Sequence, residues 1–149
     1  MGLNILFING PNLNLLGQRE QSQYGNISYE ELKTKCVNEA KDLGLSLDFI
    51  QSNIEGEIIE AIQNARNKYQ GIIINAAGFT HTSVGIRDAL EIFKGAKIEV
   101  HISNIYNRED FRKKSLISDV VKGGIFGLGH QGYILAILAM HRFLKDENK

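Results

Sequence analysis

Short apolar runs alternate with amphipathic stretches along the whole chain, and this alternation narrows the possible folds more than any other feature. Residues 3–8 form an apolar run broken only by Asn4 and closed by Asn9-Gly10-Pro11, the pattern of a buried strand. Tyr29, Leu32, Cys36, Ala40 and Leu43 then recur at steps of three or four, which is one face of a helix. Ser28-x-x-Glu31 supplies a capping box at its start, and Gly44 a stop at its end. Residues 45–50 follow as a period-two strand. Ser52-x-x-Glu55 predicts a helix that turns Ile54, Ile58, Ala61, Ile62, Ala65 and Tyr69 inward and stops at Gly71. Ile72-Ile73-Ile74 is apolar and β-branched enough to be a central strand. Thr82 or Ser83 caps a helix with Val84, Leu90 and Phe93 among its apolar positions. Residues 97–102 form a fourth strand and 124–128 a short fifth. An apolar helix over about 130–144 carries Ile134, Leu135, Ile137, Leu138 and Met140.

Such alternation implies parallel strands joined by right-handed crossovers. Five strands with helices on both faces predict a flavodoxin-like three-layer α/β sandwich with strand order 2-1-3-4-5. The 149 residues fit one domain, expected over 1–149 with a lid loop at about 17–26. With 17 Lys+Arg against 17 Asp+Glu and no long basic run, the chain lacks the electrostatic footprint of a nucleic-acid binder. Cys36 is alone, so neither an intrachain disulfide nor a cysteine metal cluster is expected, and a small core thiol is the simpler role. The first residues do not resemble a signal peptide, and no apolar stretch reaches the ~20 residues of a membrane span. A cytoplasmic protein without membrane contact is therefore expected.

In an open parallel sheet, ligands bind beyond the carboxyl ends of the strands. The loop after strand 1 is far longer than the ~2–6 residues typical of such connections, and it holds Arg19 and Tyr24. Strand 3 runs into Asn75, followed by His81 and Thr82-Ser83 at a helix start, where an anion or an oxygen-rich ligand is favoured. Strand 4 ends Glu99-Val100-His101-Ile102-Ser103-Asn104, with Arg112 beyond it. All of these collect at one end of the sheet.

Each residue also has a plainer structural reading. A loop tyrosine is commonly a half-buried anchor, and a lone arginine a surface charge. An ordinary tyrosine, with a pKa of about 10, is phenolate in only roughly one molecule in a thousand at pH 7. A guanidinium close by favours the charged form, so Arg19 and Tyr24 together suit a base for a proton beside a carbonyl. Period two places Glu99 and His101 on one strand face, where the carboxylate orients the imidazole; an acid-paired core histidine fits that spacing equally. Asn75 is a hydroxyl ligand or a turn former, and Asp88 a helix-dipole-stabilised surface charge. From the residues alone, this is an acid/base site for a polar oxygenated small molecule, performing proton removal and elimination. Gly127-Leu128-Gly129-His130-Gln131-Gly132 fits a dinucleotide fingerprint, but no further strand follows to complete the unit, so a tight turn packing the last helix is the reading taken. The four histidines show no ligand spacing, so no metal site is expected.

Four blocks, in order, resemble the type II 3-dehydroquinate dehydratases. The first is Gly10-Pro11-Asn12-Leu13-Asn14-Leu15-Leu16-Gly17 with Arg19-Glu20 and Tyr24-Gly25. Phe79-Thr80-His81-Thr82-Ser83 with Arg87-Asp88-Ala89-Leu90, then Glu99-Val100-His101-Ile102-Ser103-Asn104-Ile105, and Arg108-Glu109-Asp110-Phe111-Arg112 are the others, completed by Gly127-Leu128-Gly129 and Gly132-Tyr133. The resemblance implies trans elimination of water from 3-dehydroquinate to give 3-dehydroshikimate through an enolate, without a cofactor, in aromatic amino-acid biosynthesis; quinate breakdown uses the same step. It implies that Tyr24 takes the C2 proton with Arg19 stabilising the charge, that His101, oriented by Glu99, protonates the departing hydroxyl, and that Asn12 holds a water at the enolate oxygen. Asn75, His81 and Arg112 would bind substrate hydroxyls, and the Ile102 and Ser103 amides its carboxylate. Asp88 would reach a neighbouring subunit's site, in a trimer that assembles four times into a homododecamer. Two positions depart from the family pattern: Ala76 and Gln21 stand where proline is usual, which predicts a looser Asn75 loop and a more mobile lid. Of the contrasting expectations, a non-catalytic flavodoxin-like binding module is disfavoured by Asn9-Gly10, Asn75 and Pro11-Asn12-Leu13, where acidic residues or a phosphate loop would be needed, and an inactive scaffold by the joint presence of Tyr24, Arg19 and His101.

Overall fold

The structure is a computed structural model describing residues 2–147, so Met1 and the last two positions of the expected 1–149 domain lie outside the described residues. Five strands, β1 (Leu3–Asn9), β2 (Leu45–Gln51), β3 (Gly71–Asn75), β4 (Ala96–His101) and β5 (Gly123–Phe126), form one sheet in the order β2-β1-β3-β4-β5. Every neighbouring pair is parallel. The helices are α1 (Gln21–Tyr24), α2 (Tyr29–Asp42), α3 (Glu55–Ala65), α4 (Val84–Ile92) and α5 (Gln131–Glu147).

Strand alternation divides the core into two layers. Ile5, Phe7, Ile73, Ile98 and Val100 point to one face, under Leu32, Cys36 and Ala40 of α2 and Tyr133, Ile137 and Met140 of α5. Leu6, Ile8, Ile72 and Ile74 point to the other, under Ile58 and Ile62 of α3 and Ile86 and Leu90 of α4. Removing each large apolar side chain from water contributes ~1.5–3 kcal/mol. The predicted capping box is present: Ser28 Oγ accepts from the Glu31 N–H at 3.1 Å, and the Ser28 N–H donates to Glu31 Oε1 at 3.3 Å. Cys36 is fully buried, and burial, with Glu39 nearby, pushes its thiol up to about 12, as suits a core thiol.

Several local expectations are corrected. Ser52 does not pair with Glu55; its Oγ accepts from the Ile54 N–H and donates to Glu57, so α3 starts two residues later with Ile54 as its cap. Ile54 therefore stays outside the apolar face and is exposed. The same helix ends at Ala65, short of Tyr69, whose hydroxyl is drawn to Asp48 of β2, and Gly71 opens β3 rather than closing a helix. Val84, at the first turn of α4, is exposed and not part of the core. The segment after β1 is not a plain loop, because it folds a 3-10 turn (Leu13–Leu15) and then α1.

Candidate active site

The carboxyl ends of β1, β3 and β4 open onto a cleft of about 550 Å³, solvent at its mouth included. Two walls of different construction line it.

One wall is built on β4. Glu99 and His101, two residues apart, share a strand face and are both buried. His101 Nε2 lies 2.6 Å from Glu99 Oε2, and Ser115 Oγ donates to the same oxygen at 3.0 Å. Ser118 Oγ donates to Oε1 at 2.5 Å. Burial alone would push the Glu99 carboxyl up, but the hydrogen bonds and charge of His101, with the two serines, outweigh it and hold the group below its ordinary value. With Nε2 engaged, Nδ1 is the His101 nitrogen left for a ligand. The His81 ring stacks 6.5 Å away, its Nδ1 donating to the Lys114 carbonyl at 2.8 Å. Burial lowers the His81 pKa, which keeps this neighbour neutral near pH 7.

The other wall is the irregular segment between β1 and α2. Leu13, Leu16 and Ile27 sink into the core and hold it down, while Gly17 and Gly25 turn the chain at φ +88° and +73°. Tyr24, the last residue of α1, is buried between these anchors. The Arg19 guanidinium lies on its ring face, 3.8 Å from the centroid. The phenol oxygen belongs to another residue: Arg108 Nη1 donates to it at 2.6 Å and to Ser103 Oγ at 3.2 Å. The sequence by itself assigns Arg108 no role, although it stands four residues before Arg112. A separation of 84 residues carried no signal that it meets Tyr24. Ser115 and Ser118 likewise gain their part only from the fold, which brings them to Glu99.

Asn12, Asn75, His81, Ile102, Ser103 and Arg112 also line the cleft. Asn12 adopts a left-handed φ of 70°, and its N–H donates to Asn53 Oδ1 at 2.9 Å. Arg112 is braced by Glu109 at 2.9 Å. Asp88 does not line this cleft; it is exposed on α4, between exposed Val84 and Ile92 on the same helix face. Beneath the lining, Gly10 donates its N–H to the Asn75 carbonyl at 2.8 Å, and a Cβ on it would lie 2.4 Å from the Ala76 carbonyl oxygen. The glycines at 127–132 form a turn rather than a nucleotide cradle: Gly127, at φ +83°, packs on Asn104, and Gly132 fits under Ile125 of β5. The arrangement sets a phenol bracketed by two cations against a carboxylate-backed imidazole, which is equipment for taking one proton and giving another.

The sequence profile of the family described as Dehydroquinase class II matches residues 3–141. The chain belongs to the class II dehydroquinase family. Among its relatives, the 3-dehydroquinate dehydratase of Fusobacterium nucleatum is 52% identical over 139 residues, covering 91% of this chain and 95% of that protein. The 3-dehydroquinate dehydratase of Nitratiruptor is 46% identical over 144 residues, covering 97% and 92%. The crystal structure of type II dehydroquinase from Propionibacterium acnes superposes with a TM-score of 0.92 at 38% identity, covering 95% of this chain and 98% of that one. The five-stranded parallel order 2-1-3-4-5 is thus both the predicted fold and that of the class II dehydroquinases.

Proposed function

We propose that the chain is a 3-dehydroquinate dehydratase that eliminates water by a trans route, with Tyr24 as base and His101 as acid. The observation that carries this assignment is that the two groups line one cleft, each with its own electrostatic support. In the first step the Tyr24 oxygen, as phenolate, takes the C2 proton, and the C–H electron pair moves toward C3, leaving an enolate on the former carbonyl oxygen. Arg19 on the ring and Arg108 on the oxygen stabilise the negative charge that Tyr24 must carry. Asn12 holds the water that hydrogen-bonds the enolate. In the second step the enolate electrons return and break the C1–O bond, and His101 supplies the proton with which the hydroxyl leaves as water. Glu99 keeps the imidazole oriented and compensates its charge in the protonated form. Asn75, His81 and Arg112 bind substrate hydroxyls, and the Ile102 and Ser103 amides bind its carboxylate. The step belongs to the route to chorismate and the aromatic amino acids, in the cytoplasm.

The same reading includes assembly. Asp88 is flanked by exposed Val84 and Ile92 one turn away on either side, an apolar face with an acid at its centre. It suits a neighbouring copy, in which Asp88 of the partner subunit reaches the cleft. Exposed Leu135 and Leu138 on α5 and Phe126 and Leu128 near β5 add further apolar surface, in keeping with trimers gathered into a homododecamer. Residues 17–26 serve as a lid. Gln21 begins α1, a first-turn position that suits proline, so glutamine leaves the lid freer to open.

The test is the ultraviolet absorbance of the conjugated enone formed from 3-dehydroquinate, with and without chelator and beside Tyr24→Phe. Enone formation that survives chelation and falls by at least about a hundredfold in the variant is expected. A folded wild-type protein that yields no enone would overturn the assignment.

A further inference from the structure

The ends of β1 and β3 carry a buried chain of polar groups to which the elimination assigns no part. Asn9 and Asn75 are register partners on these strands, and Tyr133 of α5 reaches between them. All three are buried, and the Tyr133 ring stacks on Phe7 with centroids 4.6 Å apart. The bonds have a direction. Asn9 Nδ2 donates to the Ile50 carbonyl at 3.1 Å, which turns Asn9 Oδ1 toward Tyr133. Tyr133 commits its only proton to that oxygen at 2.7 Å. Its own oxygen can then only accept, and Asn75 Nδ2 donates to it at 2.9 Å. On the other side, the Ala77 N–H donates to Asn75 Oδ1 at 3.0 Å.

A carboxamide has two N–H donors and an oxygen with two lone pairs. Tyr133 and Ala77 take one of each, leaving Asn75 one donor and one lone pair in the cleft it lines. Turning the amide over would set oxygen against a Tyr133 oxygen that has no proton to offer, and NH₂ against the Ala77 N–H. Both bonds would be lost in a buried site, where unpaired polar groups are costly. Burial also pushes the Tyr133 hydroxyl far above the ordinary tyrosine range, so it keeps its proton and the chain keeps its direction.

We infer that Tyr133, held by Asn9, is a positioning residue for substrate recognition, fixing which amide atom Asn75 presents to a substrate hydroxyl. The inference rests on the proposed role of Asn75 as a hydroxyl ligand. A site that offers a fixed donor beside a fixed acceptor matches an alcohol, which both accepts and donates, and discriminates against an analogue lacking that group.

The experiment is a double-mutant cycle on KM and kcat for 3-dehydroquinate, using Asn75→Ala, Tyr133→Phe and both together, with thermal melts alongside. Phenylalanine keeps the ring stacked on Phe7 and removes only the hydroxyl. Asn75→Ala is expected to raise KM about tenfold, and Tyr133→Phe about three- to tenfold with kcat held within about twofold, the scale of one neutral hydrogen bond. In the Asn75→Ala background, Tyr133→Phe should add less than about twofold, because the amide it orients is gone. Additive effects on KM, or a lower melting temperature with KM unchanged, would overturn the positioning role. If Asn75→Ala alone leaves KM unchanged, the hydroxyl-ligand reading fails and takes the inference with it; if only Tyr133→Phe leaves it unchanged, the inference fails alone. Asn9→Ala provides the second route should Tyr133→Phe not fold. It frees the Tyr133 proton to point at Asn75 and is expected to raise KM in the same range, and an unchanged KM there counts equally against the role.

Discussion

The acid wall and the base wall reach comparable burial by opposite means. Glu99 and His101 sit on a strand with neighbours on both sides, and three side-chain donors converge on one carboxylate. Tyr24 ends a single-turn helix in an irregular segment, and its oxygen is held by Arg108 from a distant part of the chain. The acid pair is therefore set by its strand and closed by two loop serines, whereas the base is carried by a loop and held by a guanidinium in direct contact with it. Preorganised polar groups on regular elements are costly to disturb individually, while a loop-borne group depends on whatever reaches over to it.

The sharpest way to break this contrast is Arg108→Ala, which strips the phenol oxygen of its donor. A fall in kcat of about 10²–10³, with a melting temperature close to wild type, is expected from rate and melt measurements. Glu99→Gln keeps the shape of the other wall but removes its charge. It should lower kcat by about tenfold to a hundredfold and, unlike Arg108→Ala, also destabilise the fold, because one of the two oxygens that accept from His101, Ser115 and Ser118 becomes an NH₂ that cannot accept. Acid titration sharpens the same difference. The folded-state pKa of Glu99 lies below its unfolded value, so its contribution to stability is full above the ordinary carboxylate range and is lost as pH falls through the folded value. Chemical denaturation at a series of pH values should show a loss below about pH 4.5 that is smaller in Glu99→Gln. The smallest effect is expected from Gln21→Pro, which restricts only the unfolded and open lid. Slower hydrogen exchange across 17–26 and a gain of ~0.4–1 kcal/mol at most should accompany it.

How far the residues foretold this depends on distance along the chain. The layered sheet was legible because period two and period 3.6 are local signals, as was the Ser28–Glu31 box. Glu99 and His101 were legible as a pair because one strand face joins them. Ser52 misled because its hydroxyl bonds Ile54 and Glu57 together and leaves Glu55 aside, an outcome that only the turn geometry decides. Arg108, Ser115, Ser118 and the Asn9–Tyr133–Asn75 chain were illegible as site features, since each acquires meaning only when remote segments meet.

The contact between Gly10 and Ala76 sets a boundary on what this cleft can become. Where strand order reverses between β1 and β3, the Gly10 main chain is laid directly on that of Ala76, with no side chain between them. A substitution there cannot enlarge or reshape the pocket; it can only pry the two strands' exits apart. At that point the cleft cannot deepen, so drift toward a larger ring must be accommodated elsewhere, in the span of the lid and the residues following β4, where the ceiling is adjustable.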